Sequence, residues 1–504
     1  MDLRRPRLIS RTHPIPSLAA ALSQRSLADA IVDCASGVTL TYEQLSDAVD
    51  VLAGRLIASG FTPDCATVLS CRTSLAATIC MLAAWQAGMV PVPLAEFPTV
   101  AERERIFAQC QTGVILCDDI LAAGVAVAPT ACDELTVIDG SLRIAILQYG
   151  KASAANPIVR DKLALIVYTS GTTGKAKGVM LGAGAMAFAT GSMAQVVEAQ
   201  PGERALVPLS SSHLYGIVAN CYLLSTGATI YSVDPYASGQ YLIHHILGHR
   251  LNAVLFQPQH VKRVLDAVAD SACSTVRYVA CGSGGVSMAE ARRLAQFFPA
   301  ARQFFYYALS EAPRAVYVAD AYRSSATEIP LGRPAAGMRL QLDRVTNAKG
   351  NRIGEIVIGG PAVAMGYIGD AAMTDEKFDD DNFYTGDLGE EIDGEIFYRG
   401  RASDVIEWNG IRISAWATEL RLVEELGKRT AVVGLGPGAT AGERSLRAIL
   451  EGSLTPAEQD MAEAIMAPLA TQLGLPLQIE AVPSFPRNAT GKVLRRQALS
   501  RQGD

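Results

Sequence analysis

No stretch of this chain stays apolar over the roughly 18 residues that a membrane-crossing helix needs, which excludes a hydrophobic span of that kind. The amino-terminal MDLRRPRLISRTHPIPSLAAAL is basic, but its apolar part is short and broken by proline, so no secretory signal is expected there. Cysteine is absent after Cys281, and the ten cysteines up to that point include no CxxC pair. That usage excludes a disulfide framework or a zinc cage and fits buried free thiols in a reducing compartment. Positive charge is not in excess: the net charge is −6, so broad nucleic-acid binding is not expected. Internal repeats and low-complexity tracts are missing as well. What the chain does have is length and apolar content. Hydrophobic residues make up 49% of 504, enough for packed cores and too much for one ordinary domain. A cytoplasmic enzyme of two or more domains, with neither membrane nor nucleic acid as partner, is the expectation.

Between about 160 and 310, apolar runs alternate with helical patterns. LALIVYT, RALVPL, ATIYSV, NAVLFQP, VRYVACG and QFFYYAL read as buried strands, while GQYLIHHILGHR, HVKRVLDAVADSA and MAEARRLAQFF carry helical periodicity. Such alternation predicts parallel strands with crossover helices in a layered α/β architecture. Upstream, LADAIVDCASGVTLTYEQLSDAVDVLAGRLIASG predicts a hairpin followed by a long helix. After about 330, GEIVIGG, GEIFYRG and IRIS predict a small antiparallel unit. The last 100 or so residues combine the strands RTAVVGLG, SLRAILEG and PLQIEAV with two helices, an α+β pattern. The charged turn RGRASD marks the expected junction, giving a large domain over 1–400 and a small, mobile one over 401–504.

Directly after LALIV comes YTSGTTGKAKG, residues 168–178, with three glycines, two lysines and five hydroxyl side chains. Such a composition suits a flexible linker, and it equally suits a cradle in which N–H groups and hydroxyls donate to phosphate oxygens. Ligands of layered α/β folds sit at the carboxyl ends of strands, so the position after a strand favours the cradle. The spacing is not that of a Walker A loop, because only two residues separate Gly171 from Gly174.

Four further segments follow in order: YYALSE, YTGDL, GRASDVIEWNGIRIS and RNATGKVLRR. Together with the loop they resemble the motifs of the adenylate-forming superfamily, which includes acyl-CoA synthetases, peptide-synthetase adenylation domains and luciferases. Five matches in order along nearly the whole chain make coincidence a poor explanation. The resemblance implies that ATP phosphates meet Thr169, Ser170, Gly171, Thr172, Thr173, Gly174, Lys175 and Lys177. It implies that Tyr307 stacks on adenine, Ser310 approaches the α-phosphate and Glu311 holds Mg²⁺. Asp387 and Arg401 would hold the ribose. Lys492, by itself a solvated charge in a basic tail with Arg487, Arg495, Arg496 and Arg501, becomes the cation at the reacting centre. The acid pocket would be bordered by His213, in the HxxG-like HLYG, with Gly284, Gly285 and Ala308. His244, His245, His249 and His260 have no such context, and the first three read as one helix face.

Some positions depart from the family pattern. Ala308 replaces a glycine bordering the acid pocket, which favours a small or aromatic acid. Ser403 stands at the hinge position beside Asp404, and AWATEL keeps only Glu419 of a longer pattern. The segment after Pro208 lacks the Phe-Asp pair that relatives use for an α-ammonium, so α-amino acids are disfavoured. The resulting expectation is ATP- and Mg²⁺-dependent formation of an acyl-AMP from a small carboxylic acid, then transfer to CoA or to the phosphopantetheine of a carrier protein. Two alternatives stay open. One is adenylation directed at an unusual partner such as nitrite, and the other is a silent nucleotide-binding relative. Retention of Lys492, Glu311 and Asp387 together argues against the second.

Overall fold

A computed structural model describes residues 13–500 except 62–64, 95–98, 119–129, 139–141, 150–162, 171–175, 269–271, 283–284, 349–350, 410, 428–429, 438–442 and 487–492. The chain divides into two compact units, 1–340 with 358–383 and 341–357 with 384–504. The division runs through the strands Arg339–Ala348, Asn351–Gly359 and Asn382–Ile392.

The first unit is built on a nine-stranded sheet. At its centre Asp29–Asp33, Thr229–Ser232, Arg204–Val207, Ala253–Phe256, Tyr278–Gly282 and Arg302–Leu309 pair in parallel. Every side chain of Ala253–Phe256 is buried, as a strand covered on both faces requires, which is why such strands read as unbroken apolar runs. Helices Gly239–Gly248, Pro258–Ala267 and Met288–Phe297 pack around one core with Leu242, Val264 and Leu294. Ser238 caps the first through the Tyr241 N–H, and Ser287 and Glu290 form a reciprocal cap on the third. A larger core holds Leu52, Ile79, Met186 and Leu223 from helices Tyr42–Ala58, Ser74–Gln86, Ala183–Val196 and Leu214–Ser225. Ser74–Gln86 is apolar nearly all round and buried over most of its length, as a helix enclosed by its neighbours should be.

A second sheet of five strands spans Ala66–Ser70 to Leu142–Gln148, with its first three strands parallel and the last two antiparallel. The run LALIVYT corrects one expectation. It forms Leu163–Ser170, paired antiparallel with Ala176–Gly182 and not in parallel with the large sheet. The reason is connection length: five residues can turn a hairpin, whereas a parallel partner needs a crossover of a dozen or more.

In the second unit, Asn382–Ile392 and Glu395–Arg401 form an antiparallel pair. IRIS, expected in the same sheet, instead pairs Ile411–Ser414 with Val405–Trp408 in a separate ribbon. Beyond it Ala431–Pro437, Arg444–Glu451 and Leu477–Val482 make a three-stranded sheet, antiparallel then parallel. The parallel step is bridged by helix Pro456–Leu473, which Thr455 and Glu458 cap and Gly474, at φ 64°, ends. Leu422, Val433, Leu446, Met466 and Leu473 fill the core between sheet and helices.

Candidate active site

In the first unit the glycine-rich segment begins on one strand of a hairpin and ends on the other. Thr169 stands opposite Lys177 and Ser170 opposite Ala176, so the two ends of the loop are held in register. Gly171, Thr172, Thr173, Gly174 and Lys175 lie outside the described residues. The Tyr168 hydroxyl donates to Gln109 at 3.0 Å, and Arg105 donates to the Ala176 carbonyl at 2.7 Å, fastening the hairpin to helix Val100–Cys110. Burial pushes the Tyr168 phenol well above its ordinary pKa, so it remains a donor.

Gly178 has a packing reason to be glycine. A Cβ there would come within 2.9 Å of the Tyr168 ring and press on Ile368 as well. With no side chain in the way, Ile368 N–H donates to the Gly178 carbonyl at 2.9 Å, and Met180 exchanges backbone bonds with Gly366 and Met365 at 2.9 and 2.8 Å. This seam places Tyr367. Lys177 Nζ lies 5.4 Å from the centre of its ring, and its hydroxyl donates to Glu311 Oε1 at 2.8 Å. The Glu311 backbone carbonyl also accepts from Ala364 N–H at 2.8 Å. Ser310 and Glu311 are the two-residue turn between Arg302–Leu309 and Ala312–Ala319, with Tyr307 opposite Val316 and Ala308 half-buried between them. One tyrosine therefore joins the lysine of the loop to the carboxylate of the turn.

That carboxylate suits an oxygen-preferring hard cation. Among the described residues no group of three or more His, Cys, Asp or Glu side chains is arranged to hold a metal. Magnesium asks for less, since it is bound through one or two carboxylates together with substrate phosphates.

His213 precedes helix Leu214–Ser225, half-buried, with its carbonyl accepting from Ile217 N–H at 3.0 Å. Gly216 of the same HLYG segment lies on the Ser210 carbonyl, and any Cβ there would overlap it. Two residues past His213, Tyr215 donates to the Ala280 carbonyl at 2.9 Å. Gly285 is exposed at φ 51°, in the left-handed region; Gly284 lies outside the described residues.

In the second unit Asp387 and Arg401 face each other across paired strands, with Arg401 Nε 3.1 Å from Asp387 Oδ1. Asp387 is 2% exposed. The turn leading to it is braced: Thr385 donates to the Ile356 carbonyl at 2.7 Å, and Gly386 N–H donates to Glu355 at 2.9 Å. Lys492 lies outside the described residues. Beyond that segment on either side, Leu494 N–H donates to the Pro486 carbonyl at 2.8 Å. Arg495, one of the basic residues around Lys492, pairs with Glu419 at 2.6 Å and donates to the Val433 carbonyl at 3.0 Å. Glu419 also accepts from Val433 N–H at 2.6 Å, so the glutamate kept in AWATEL acts as an anchor. Ser403 donates to Asp404 at 3.2 Å.

Of the other histidines, His245 and His249 stack with centroids 5.3 Å apart and His244 meets His245 edge-on at 5.4 Å, so the three form one cluster along the helix, with His245 buried and His244 exposed. His260 is fully buried; its Nδ1 accepts from Gln257 N–H at 3.0 Å and its Nε2 lies 2.9 Å from the Pro235 carbonyl. Burial lowers its pKa to about 4. A cavity of about 540 Å³ beside Phe188, Arg302 and Arg333 contains none of the residues expected at the nucleotide.

Comparison with known proteins gives this arrangement a context. The model of the family described as AMP-binding enzyme matches residues 18–368. Phosphinothricin tripeptide synthetase PhsC of Streptomyces viridochromogenes is 28% identical over 92% of this chain and 43% of its own length. The chain thus spans less than half the length of that relative. Among solved structures, O-succinylbenzoate coenzyme A synthetase (MenE) from Bacillus subtilis, in complex with AMP, superposes with a TM-score of 0.78 at 20% identity, covering 96% of this chain and 99% of its own. The amide bond synthetase McbA from Marinactinospora thermotolerans matches at the same TM-score, identity and coverage. At this identity the two solved structures bear on the fold alone.

Proposed function

Because this chain belongs to the AMP-binding enzyme family, we propose that it is an ATP-dependent ligase that converts a carboxylic acid to its acyl-AMP and passes the acyl group to a thiol. The observation that carries the proposal is the contact series Lys177–Tyr367–Glu311, which sets a cation of the glycine-rich loop beside an oriented carboxylate. Phosphates lying on the loop would meet Thr169 and Lys177, and Glu311 would hold magnesium. A structure of the Bacillus subtilis enzyme contains ATP and magnesium together. Bound there, the metal would neutralise phosphate charge. Asp387 accepts ribose hydroxyls in this scheme, and Arg401 pairs with its carboxylate and orients it.

In the first step a carboxylate oxygen of the acid attacks the α-phosphorus. The bond from that phosphorus to the bridging oxygen breaks and pyrophosphate departs with the electron pair. Negative charge builds on the α-phosphate oxygens, and the Lys492 ammonium, delivered by residues 401–504, stabilises it. Closing of Leu494 on Pro486 and pairing of Arg495 with Glu419 would hold the Lys492 segment to its domain. In the second step a thiolate attacks the acyl carbon and AMP leaves. CoA or a carrier-protein phosphopantetheine supplies that thiol.

The acid lies beside His213, Gly284, Gly285 and Ala308 in this scheme. Ser211 and Ser212 are buried in the segment after Pro208, and the run LSSSHLYG holds no carboxylate for an ammonium, which supports an acid without an α-amino group. The test is pyrophosphate release across a panel of carboxylic acids and α-amino acids, with nitrite assayed separately. Release with an acid, followed by AMP release on adding CoA or a carrier protein, is the expected result.

A further inference from the structure

Arg314 is 3% exposed, and neither of its terminal nitrogens makes a well-formed hydrogen bond among the described residues; the Tyr215 hydroxyl, which donates to the Ala280 carbonyl, lies close enough to interact with the guanidinium without satisfying it. Among those residues no carboxylate forms an ion pair with it. Its guanidinium carbon lies 3.8 Å from the centre of the Tyr215 ring and 4.5 Å from that of Tyr306. Stacking on aromatic rings offsets part of the cost of burying a cation, yet a desolvated guanidinium still needs acceptors for its in-plane N–H groups. The Tyr306 hydroxyl is also buried and without a partner among the described residues. Burial raises its pKa, so it stays protonated and a donor. Two unsatisfied donors, one of them cationic, therefore meet at one place.

The backbone is arranged to put Arg314 there. Tyr307 pairs with Val316 and Leu309 with Ala312, so Ala308 alone stands opposite Pro313, Arg314 and Ala315. Such a bulge re-aims a side chain. Arg314 takes φ 54°, a left-handed conformation costly for a residue with a Cβ and kept where the surroundings impose it. At Gly282 a Cβ would touch Tyr215 at 3.1 Å and Arg314 Nη1 at 3.4 Å, so glycine there lets the Tyr215 ring and the guanidinium pack closely on that strand. Tyr215 and Gly282 adjoin His213 and Gly284 in sequence, and Arg314 lies three residues past Glu311. The cation is thus among the elements assigned to the acid.

We propose that Arg314 binds a second carboxylate of the substrate, so that the enzyme activates dicarboxylic acids. One carboxyl group attacks ATP while the other takes two parallel hydrogen bonds from the guanidinium and one from Tyr306. This inference rests on the ligase reading, and it makes Arg314 the residue that selects the acid. It also gives a second reason against α-amino acids, because a buried guanidinium repels an ammonium.

The experiment compares kcat/KM for pyrophosphate release with matched pairs: succinate and butyrate, glutarate and valerate, isophthalate and benzoate. At least one dicarboxylate should exceed its partner by about 100-fold or more in the wild type, since a site built for a polar group strongly rejects an analogue lacking it. In Arg314→Met that ratio should collapse to within a few-fold, with the ATP KM unchanged; Arg314→Lys should keep an intermediate ratio and serves if the Met variant does not fold. Release with monocarboxylates that equals or exceeds release with dicarboxylates would overturn the inference and leave the ligase reading standing. An altered ATP KM in Arg314→Met with an unmoved acid ratio would also overturn it, as would pyrophosphate release with nitrite in place of any acid. If no acid releases pyrophosphate, the ligase reading fails and a melting assay with AMP decides the anion site. Stabilisation by a dicarboxylate in the wild type but not in Arg314→Met supports it, and its absence overturns it.

Discussion

The hydroxyl of Tyr367 donates to Glu311 at 2.8 Å while Lys177 stands over the same ring, so a loop cation and a turn carboxylate share one support. Tyr367 is a positioning residue in this account. Tyr367→Phe keeps the ring under Lys177 and removes the hydroxyl that donates to Glu311, and a hydrogen bond to a charged group contributes about 1.5–3 kcal/mol. The expected outcome is a roughly 10-fold higher magnesium concentration for half-maximal pyrophosphate release at saturating ATP. An unchanged magnesium dependence would detach Glu311 from the metal.

Asp387→Asn should raise the ATP KM more than it lowers kcat, because ribose contacts are made equally in ground and transition states. Its pairing with Arg401 makes Asn the better replacement, since it keeps the volume of a buried side chain. Steady-state kinetics over ATP concentration checks this, and an unchanged KM would remove Asp387 from the nucleotide site.

Arg495→Gln should lower the rate of adenylation about 10-fold or more with the ATP KM within a few-fold. The guanidinium ties the segment after Lys492 to Glu419 and Val433, and small misplacements of a catalytic group are costly in rate. The split between kcat and KM is the informative readout, and Arg495→Lys should recover part of the loss.

Acid should destabilise the protein through His260. Its pKa is about 4 in the fold against an ordinary 6.5, so between these values the unfolded chain binds a proton that the folded one does not. The associated stability is complete above about pH 6.5 and is lost as pH falls toward 4, an effect on the order of 3 kcal/mol. Melting temperatures at pH 7 and pH 5 should fall more steeply in the wild type than in His260→Gln, although the variant is less stable at pH 7.

What was legible in the sequence follows from which interactions are local. Strands buried on both faces read as apolar runs, so Ala253–Phe256 and Tyr278–Gly282 stood out, and the intervening helices showed their apolar stripe. An apolar run does not encode the direction of its partner, which is why Leu163–Ser170 looked parallel until the short hairpin connection decided otherwise. Motif order brought Asp387 and Arg401 into the same argument, and they prove to be directly opposite. Tyr367 gave no such signal, because its partners Lys177 and Glu311 are distant in sequence and are brought to it by backbone bonds at Gly178 and Ala364. Arg314 was equally silent: a bulge and a left-handed φ, neither written in any motif, turn it inward. Arg495 read only as one of the basic residues around Lys492 because its counter-ion, Glu419, lies 76 residues away.

The central claim is acid activation at the α-phosphate of ATP with Lys492 as the stabilising cation, and acid-dependent exchange of labelled pyrophosphate into ATP measures that step alone. The account predicts exchange that requires an added carboxylic acid and magnesium and drops about 10²–10³-fold in Lys492→Ala, with ATP binding within a few-fold of the wild type. Exchange undiminished in Lys492→Ala, or absent from the wild type with every acid tried, would contradict it.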